Sequence, residues 1–226
     1  MYRASAYYFF ALLLLAVPAF WPSYLFPKRY EADWHVHLHG IAMLAWMLML
    51  IAQATLVRVK SFATHRALGK TSFVLVPVIV ASTLLLAHYR MRSGLNKELL
   101  YFFYVQLSLL AVFLAAYGLA ILNRRTPAVH MRFMACTALA LVDPILARLL
   151  FIHLGIEPPL MQLITYGVVD LILVALIVHD RMQGHYAQVY PGMLAVFVVS
   201  QVPTFLVTQT GWWLAFTKSF ARLPLP

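Results

Sequence analysis

Cysteine and acidic residues are both scarce in this chain. The single cysteine, Cys136, lies in an apolar segment, which excludes an internal disulfide and any zinc or iron–sulfur site built from several cysteines. Aspartate and glutamate number 7 against 17 lysines and arginines, and charged residues make up only 11% of the chain. Because 63% of the 226 residues are hydrophobic, the chain holds more apolar surface than a soluble fold of this length buries. The sequence therefore predicts a polytopic membrane protein.

The formal net charge of +10 is a property that nucleic-acid-binding proteins share. In this chain, however, the cations lie in short loops between apolar runs, where lysine and arginine orient a membrane protein. We therefore expect the lipid bilayer, and no nucleic acid, as a partner. Slightly more cations fall on the side that holds the N-terminus, which predicts a cytoplasmic N-terminus.

Seven apolar runs are long enough to cross a bilayer as helices. They cover about 5–26, 35–57, 67–89, 99–122, 129–152, 160–179 and 191–216. Hydrocarbon offers the backbone no hydrogen-bond partner, so a helix is expected for each run. The predicted fold is all-α, a polytopic membrane helix bundle of about seven transmembrane helices that forms a single domain over 1–226. Pro203, inside the last run, is expected to kink its helix.

A cluster of histidines, His35, His37 and His39, opens the second run, and His88 closes the third at a similar expected depth on the outer side. Residues four apart share a helix face, so His35 and His39 align while His37 points the other way. Imidazole binds copper, zinc and haem iron. The sequence therefore predicts a transition metal (copper, zinc or iron) on these four histidines, or haem b between His39 and His88. The alternative is a polar helix rim that binds nothing.

Two further histidines, His65 in "HRALGK" and His130 in "HMRFM", lie at the opposite, inner side. They are the predicted ligands of a second haem or metal site. Asp180, in "DRMQGH", is expected to orient His65 or His185, as carboxylates orient ligand imidazoles. The alternative is that these residues cap helices and place positive charge at the membrane surface.

Three charged residues lie deep inside the apolar runs, with Asp143 and Arg148 in the fifth run and Asp170 in the sixth. A charge within the bilayer is costly, so each should face the bundle interior. The two aspartates fall at similar depth, and Arg148 is long enough to reach toward either. Because one cation does not neutralise two carboxylates, the second carboxylate is expected to be protonated or to bind a proton or ion. The alternative is a structural lock between aspartate and arginine.

Several ordered motifs resemble those of a family of uncharacterised bacterial inner-membrane proteins. These motifs read His-x-His-Gly, His-Arg-x-Leu-Gly and His-x-Arg-x-Met. The matching positions are His37, His39, Gly40, His65, Arg66, Gly69, His130, Arg132 and Met134. The resemblance implies a multi-pass protein of the bacterial inner membrane and leaves its activity open. The two layers of histidines are also similar to those of two-haem membrane cytochromes b.

The sequence leaves three functions open. The first is membrane redox or electron transfer through a histidine-bound haem or metal, with a redox partner or a homo-oligomer as the expected assembly. The second is a proton- or ion-coupled transporter that uses Asp143, Asp170 and Arg148. The third is a metal-dependent intramembrane enzyme in which Asp33 or Glu31 is the general base beside a three-histidine metal.

Overall fold

The fold is built from helices. A computed structural model describes residues 5–21, 33–92, 94–184 and 188–226, and within those residues it has helices and no strand. The helices are α1 (Ser5–Phe20), α2 (Trp34–Arg58), α3 (Phe62–Lys70), α4 (Ser72–Met91), α5 (Lys97–Leu122), α6 (Pro127–Leu154), α7 (Leu160–Met182), α8 (Val189–Gln201) and α9 (Gly211–Ala221). The prediction of an all-α membrane helix bundle is confirmed.

Six helical segments in the described part of the chain are long and apolar enough to cross a membrane. They are Trp34–Arg58, Phe62–Met91, Lys97–Leu122, Pro127–Leu154, Leu160–Met182 and Val189–Gln209. The apolar α1 has 16 residues, which span about 24 Å, less than the roughly 30 Å of a hydrocarbon core. The part of the first predicted span beyond residue 21 lies outside the described residues.

The last predicted span is interrupted. Helix α8 ends at Gln201, two 3₁₀ helices follow at Val202–Phe205 and Val207–Gln209, and α9 begins at Gly211. Pro203 lacks the N–H that would continue α8, so the chain tightens into 3₁₀ turns there. The predicted span over about 191–216, with its kink at Pro203, is corrected at its C-terminal end, because the membrane-length segment ends at residue 209 and α9 is a separate helix.

Side-chain caps and special backbone conformations set several helix ends. The Asp33 side chain accepts a hydrogen bond from the His35 backbone N–H (3.0 Å) at the start of α2, and the Asn96 side chain accepts one from Leu99 (2.7 Å) at the start of α5. Such caps satisfy backbone donors that have no partner within the helix. At the other end of α6, Gly155 takes the left-handed conformation (φ 65°), which glycine adopts without strain.

The chain divides into two compact units. The first comprises Met1–Ser93 and Pro224–Pro226, and the second comprises Gly94–Leu223. In the first unit α2 packs against α1, α3 and α4. In the second, α5 packs against α6, and α7 packs against both α6 and α8. The single transmembrane domain over 1–226 stays a prediction.

Candidate functional site

The deepest carboxylate of the second unit lies between α6 and α7. Asp143 on α6 is only 2% exposed. Its two oxygens accept hydrogen bonds from the Nε2 of Gln162, at 2.8 Å to Oδ1 and 2.9 Å to Oδ2. Gln162 is 1% exposed, so an amide and a carboxylate share one buried site. Buried polar groups are costly unless they are paired, and this pair satisfies that requirement.

The first turns of α7 hold the amide of Gln162 in place. Gln162 and Thr165 lie three residues apart, so they share one face of the helix. The Thr165 hydroxyl donates to the Gln162 backbone oxygen (3.0 Å), and the Gln162 Nε2 lies 3.0 Å from the same hydroxyl oxygen. The glutamine side chain is therefore fixed at both the carboxylate of Asp143 and the hydroxyl of Thr165.

The polar face of α7 extends beyond this pair. Gln162, Tyr166 and Asp170 are spaced four residues apart, which places them in one row along the helix over about 12 Å. The Tyr166 hydroxyl lies 2.8 Å from the hydroxyl of Thr204. Asp170, which is half-buried, accepts a hydrogen bond from the Nε2 of Gln201 (3.0 Å). Asp143 and Asp170 thus each have a glutamine amide as a partner.

Two tyrosines lie near the Asp143 carboxylate. Tyr101 on α5 and Tyr166 on α7 are both close enough to interact with it electrostatically. The Tyr101 hydroxyl is buried, and no hydrogen-bond partner is found for it among the described residues. A buried hydroxyl of this kind is uncommon, and where one occurs it often faces a water or a ligand.

Arg148 contacts the backbone of its own helix, since its Nη1 donates to the backbone oxygen of Pro144 (2.9 Å). Its predicted reach toward the aspartates stays a prediction. Gln162 and Gln201 donate hydrogen bonds to the two carboxylates, and neither was predicted from the sequence. Their signal in the sequence is a polar amide inside an apolar run.

The outer histidines occupy two different environments on α2. His35 is buried, and its ring stacks on Trp34 (3.8 Å between ring centres) and on Tyr89 (4.6 Å). Its Nδ1 contacts the Asp33 carboxylate, and its Nε2 lies 3.0 Å from the Pro226 oxygen. His37 is exposed, as expected for a residue on the opposite side of the helix. His35 and His37 are therefore not brought together.

His39 and His88 lie at different levels of the helix pair α2 and α4. The His39 Nδ1 is 3.4 Å from the hydroxyl oxygens of both Ser82 and Thr83, which precede His88 by six and five residues. That separation is about 8 Å along α4. The buried His88 is level with His35 instead, since His35 stacks on the adjacent Tyr89. The similar depth expected for His39 and His88 is corrected by this register.

The inner histidines lie in separate units. His65 belongs to α3 in the first unit, where its backbone oxygen accepts a hydrogen bond from the Gln53 Nε2 (3.2 Å). His130 belongs to α6 in the second unit, and its Nδ1 donates to the backbone oxygen of Ala120 (2.8 Å). This hydrogen bond fixes the ring and leaves Nε2 as the nitrogen able to bind a metal.

Asp180 pairs with an arginine rather than a histidine. The Arg132 Nε donates to its Oδ2 (2.6 Å) and the Arg132 Nη2 donates to its Oδ1 (3.0 Å), with both side chains buried. Arg132 holds both carboxylate oxygens, and the expectation that Asp180 orients His65 stays a prediction. The alternative partner, His185, lies outside the described residues. In the sequence Arg132 stands out only as a motif position, and its pairing with Asp180 was not predicted.

Side chains that could bind a metal ion do not cluster within the part of the chain that the structure describes. Within residues 5–21, 33–92, 94–184 and 188–226, no three histidine, cysteine, aspartate or glutamate side chains group closely enough to hold a metal ion. Of the two acids considered as a general base, Asp33 is engaged by His35 and Glu31 lies outside the described residues.

The comparisons with known proteins identify no relative of this chain. No protein-family model, no curated protein and no solved structure matches the chain. The chain is a multi-pass membrane-type helical bundle with a buried carboxylate–amide site in its second unit.

Proposed function

We propose that this chain is a proton transporter of the bacterial inner membrane in which Asp143 binds and releases the proton. The observation that supports this most directly is the hydrogen bonding of a buried intramembrane carboxylate to a neutral amide, that of Gln162. An ionisable group at such a position is costly to the fold and marks ion and proton pathways in membrane proteins.

The partner amide suits a group that changes its protonation state. The Gln162 Nε2 donates to the carboxyl oxygens of Asp143, which suits the ionised form of the acid. A glutamine amide also has an oxygen that accepts a hydrogen bond, so a small rotation serves the protonated acid. An arginine partner has only donors and would favour the charged state alone. The carboxylate–amide pair therefore supports reversible protonation rather than a fixed charge.

The row of polar residues along α7 includes a second acid, Asp170, for proton transfer. Asp170 lies two helical turns from Gln162 on the same face and accepts a hydrogen bond from Gln201. Tyr166, between them, has a hydroxyl that can both donate and accept, and it contacts Thr204. In the proposed mechanism the proton moves between Asp143 and Asp170 along this row, and bound water bridges the side chains that do not contact one another.

Proton entry into liposomes tests this proposal. The full chain is reconstituted with a pH-sensitive dye inside, and a potassium diffusion potential drives protons inward. Wild type should acidify the lumen faster than protein-free liposomes, and Asp143→Asn should reduce that rate by at least about tenfold. Glu157→Gln is the matched control, since Glu157 is an exposed carboxylate outside the membrane helices. Wild-type rates in Asp143→Asn, or no wild-type flux, would overturn the proposal.

A haem-binding redox protein is the second candidate. It is favoured by His130, whose Nδ1 is held by the Ala120 oxygen in the way that ligand imidazoles are oriented, and by the buried His88 on α4. When bound, a haem b would supply one-electron transfer to a redox partner. A Soret band in purified protein that is lost in His88→Ala or His130→Ala supports this function, whereas its absence after expression with added haem opposes it.

The expected membrane and orientation are part of the same proposal. The motif resemblance to bacterial inner-membrane proteins and the distribution of lysine and arginine support that membrane with a cytoplasmic N-terminus. Cysteines introduced singly at exposed positions, in a Cys136→Ala background, test the orientation by labelling with a membrane-impermeant maleimide. Labelling of Lys60→Cys in intact cells would reverse the assignment.

A further inference from the structure

The end of α2 forms a tight turn around an unusual lysine. The Ser61 N–H donates to the Leu56 oxygen (2.9 Å) and the Lys60 N–H donates to the Val57 oxygen (3.1 Å), which is the Schellman pattern of helix termination. The turn places Lys60 in the left-handed region at φ 60°, where glycine is the favoured residue. A lysine there is conformationally costly, by about 1 kcal/mol.

The following helix, α3, has one half-buried face and one exposed face that carries positive charge. His65, Leu68 and Gly69 are half-buried, and Gly69 approaches the side chain of Gln53 on α2. The opposite face carries Arg66 and Lys70, which are exposed and lie one turn apart on the same side of the helix. The half-buried face of α3 thus packs on α2, while Arg66 and Lys70 point away from the protein.

Charge in this region has a single sign. We define the basic turn as Arg58, Lys60, Arg66 and Lys70, all of which are exposed, and the sequence has no aspartate or glutamate from residue 34 to residue 97. Arg58 also donates to the Tyr7 hydroxyl and lies over its ring, at 4.9 Å from the centroid. The other three cations extend the positive surface from α2 along α3.

Apolar side chains lie directly beside these cations. Val59 is 63% exposed and Phe62 is 49% exposed. Both adjoin the end of α2, a membrane-length helix, so they are at the level where hydrocarbon meets the headgroup layer. Exposed apolar residues next to lysine and arginine are the composition of segments that bind anionic membrane surfaces.

We propose that the basic turn is a binding site for the phosphate headgroup of an anionic phospholipid. Lys60, Arg66 and Lys70 surround the phosphate, and Val59 and Phe62 contact the upper acyl chain. Charge complementarity and the adjoining membrane helix favour a lipid over a soluble phosphate, which would leave the apolar pair without a partner. The strained conformation of Lys60 fits this role, since strain is commonly retained at functional positions.

Lipid retention in native mass spectrometry tests the proposal. The full chain in a neutral detergent is titrated with phosphatidylglycerol or with phosphatidylcholine, and the apparent Kd of the first bound lipid is measured. Wild type should prefer phosphatidylglycerol. Removing two cations in Arg66→Gln with Lys70→Gln should weaken its binding by roughly tenfold to thirtyfold. Lys97→Gln with Lys218→Gln, which removes two other exposed cations, is the matched control and should bind as wild type does.

A second variant separates lipid binding from folding. Lys60→Gly relieves the left-handed conformation, so its Tm in lipid-free detergent should equal or exceed that of wild type, while its phosphatidylglycerol binding should fall several-fold. The proposal is overturned if the basic-turn variants bind as wild type does, if the control loses as much, or if inorganic phosphate competes as effectively as the lipid.

Discussion

Arg132 and Asp180 form a two-point ion pair that joins α6 to α7 inside the second unit. Its distances are 2.6 Å from Nε to Oδ2 and 3.0 Å from Nη2 to Oδ1. A third hydrogen bond, from Nη1 to the Ala128 oxygen (2.8 Å), fixes the guanidinium on its own helix. Arg132 is 1% exposed, so its charge depends on Asp180 for compensation.

Breaking this ion pair should destabilise the fold strongly. Arg132→Ala leaves the buried Asp180 without its partner, and the expected loss is about 3–5 kcal/mol. Arg132→Leu combined with Asp180→Leu should lose much less, because no charge stays buried alone. Thermal unfolding in detergent measures both, with the exposed Arg124→Gln as the control. Equal losses in the single and double variants would show that the pair is not the source of stability.

Acid should weaken the start of α2 through Asp33. Hydrogen bonds from the His35 backbone N–H and ring lower the pKa of Asp33 below its ordinary value. A carboxylate with a lowered pKa stabilises the fold above its unfolded pKa and loses that contribution as the pH falls through the folded value. Wild type should therefore show an extra decrease in Tm at acidic pH that is reduced in Asp33→Asn, which keeps a side-chain cap.

Removing the amide partner of Asp143 should be worse than removing both groups. Gln162→Leu removes the amide nitrogen that donates to both carboxylate oxygens, at 2.8 and 2.9 Å, which should cost about 1–3 kcal/mol. Asp143→Leu with Gln162→Leu replaces the pair by apolar groups and should recover part of that stability. Unfolding curves in one detergent decide this, and additive losses would argue against a direct pair.

The depth of Asp143 and Asp170 in the membrane was predictable from the sequence, but their hydrogen-bond partners were not. Hydropathy alone places Asp143 and Asp170 inside apolar runs. That Gln162 and Gln201 are the partners depends on the rotation of α7 and α8 against their neighbours, which side-chain packing decides. The same reason explains Arg132 and Asp180, whose sequence positions show polarity without showing which charge meets which.

The relative positions of the histidines along the axes of α2 and α4 also could not be predicted from the sequence. Counting from the helix ends predicts that His39 and His88 are level, yet His39 contacts Ser82 and Thr83. His35, rather than His39, stacks beside Tyr89. The axial offset between two packed helices depends on how their side chains interdigitate, and an error of one turn moves a residue by about 5 Å. Pairing of ligands across helices therefore needs the structure.

Tyr101→Phe distinguishes a functional hydroxyl from a structural one. The Tyr101 hydroxyl is buried near Asp143, and no hydrogen-bond partner is found for it within the described residues. If it served only the fold, removing it should be neutral or stabilising, because an unsatisfied buried polar group is lost. We expect an unchanged or higher Tm together with at least about a threefold slower proton entry, since the hydroxyl would no longer position water beside the carboxylate. Tyr117→Phe, on the same helix, is the control. An unchanged proton flux in Tyr101→Phe would remove Tyr101 from the proposed pathway while leaving Asp143 in it.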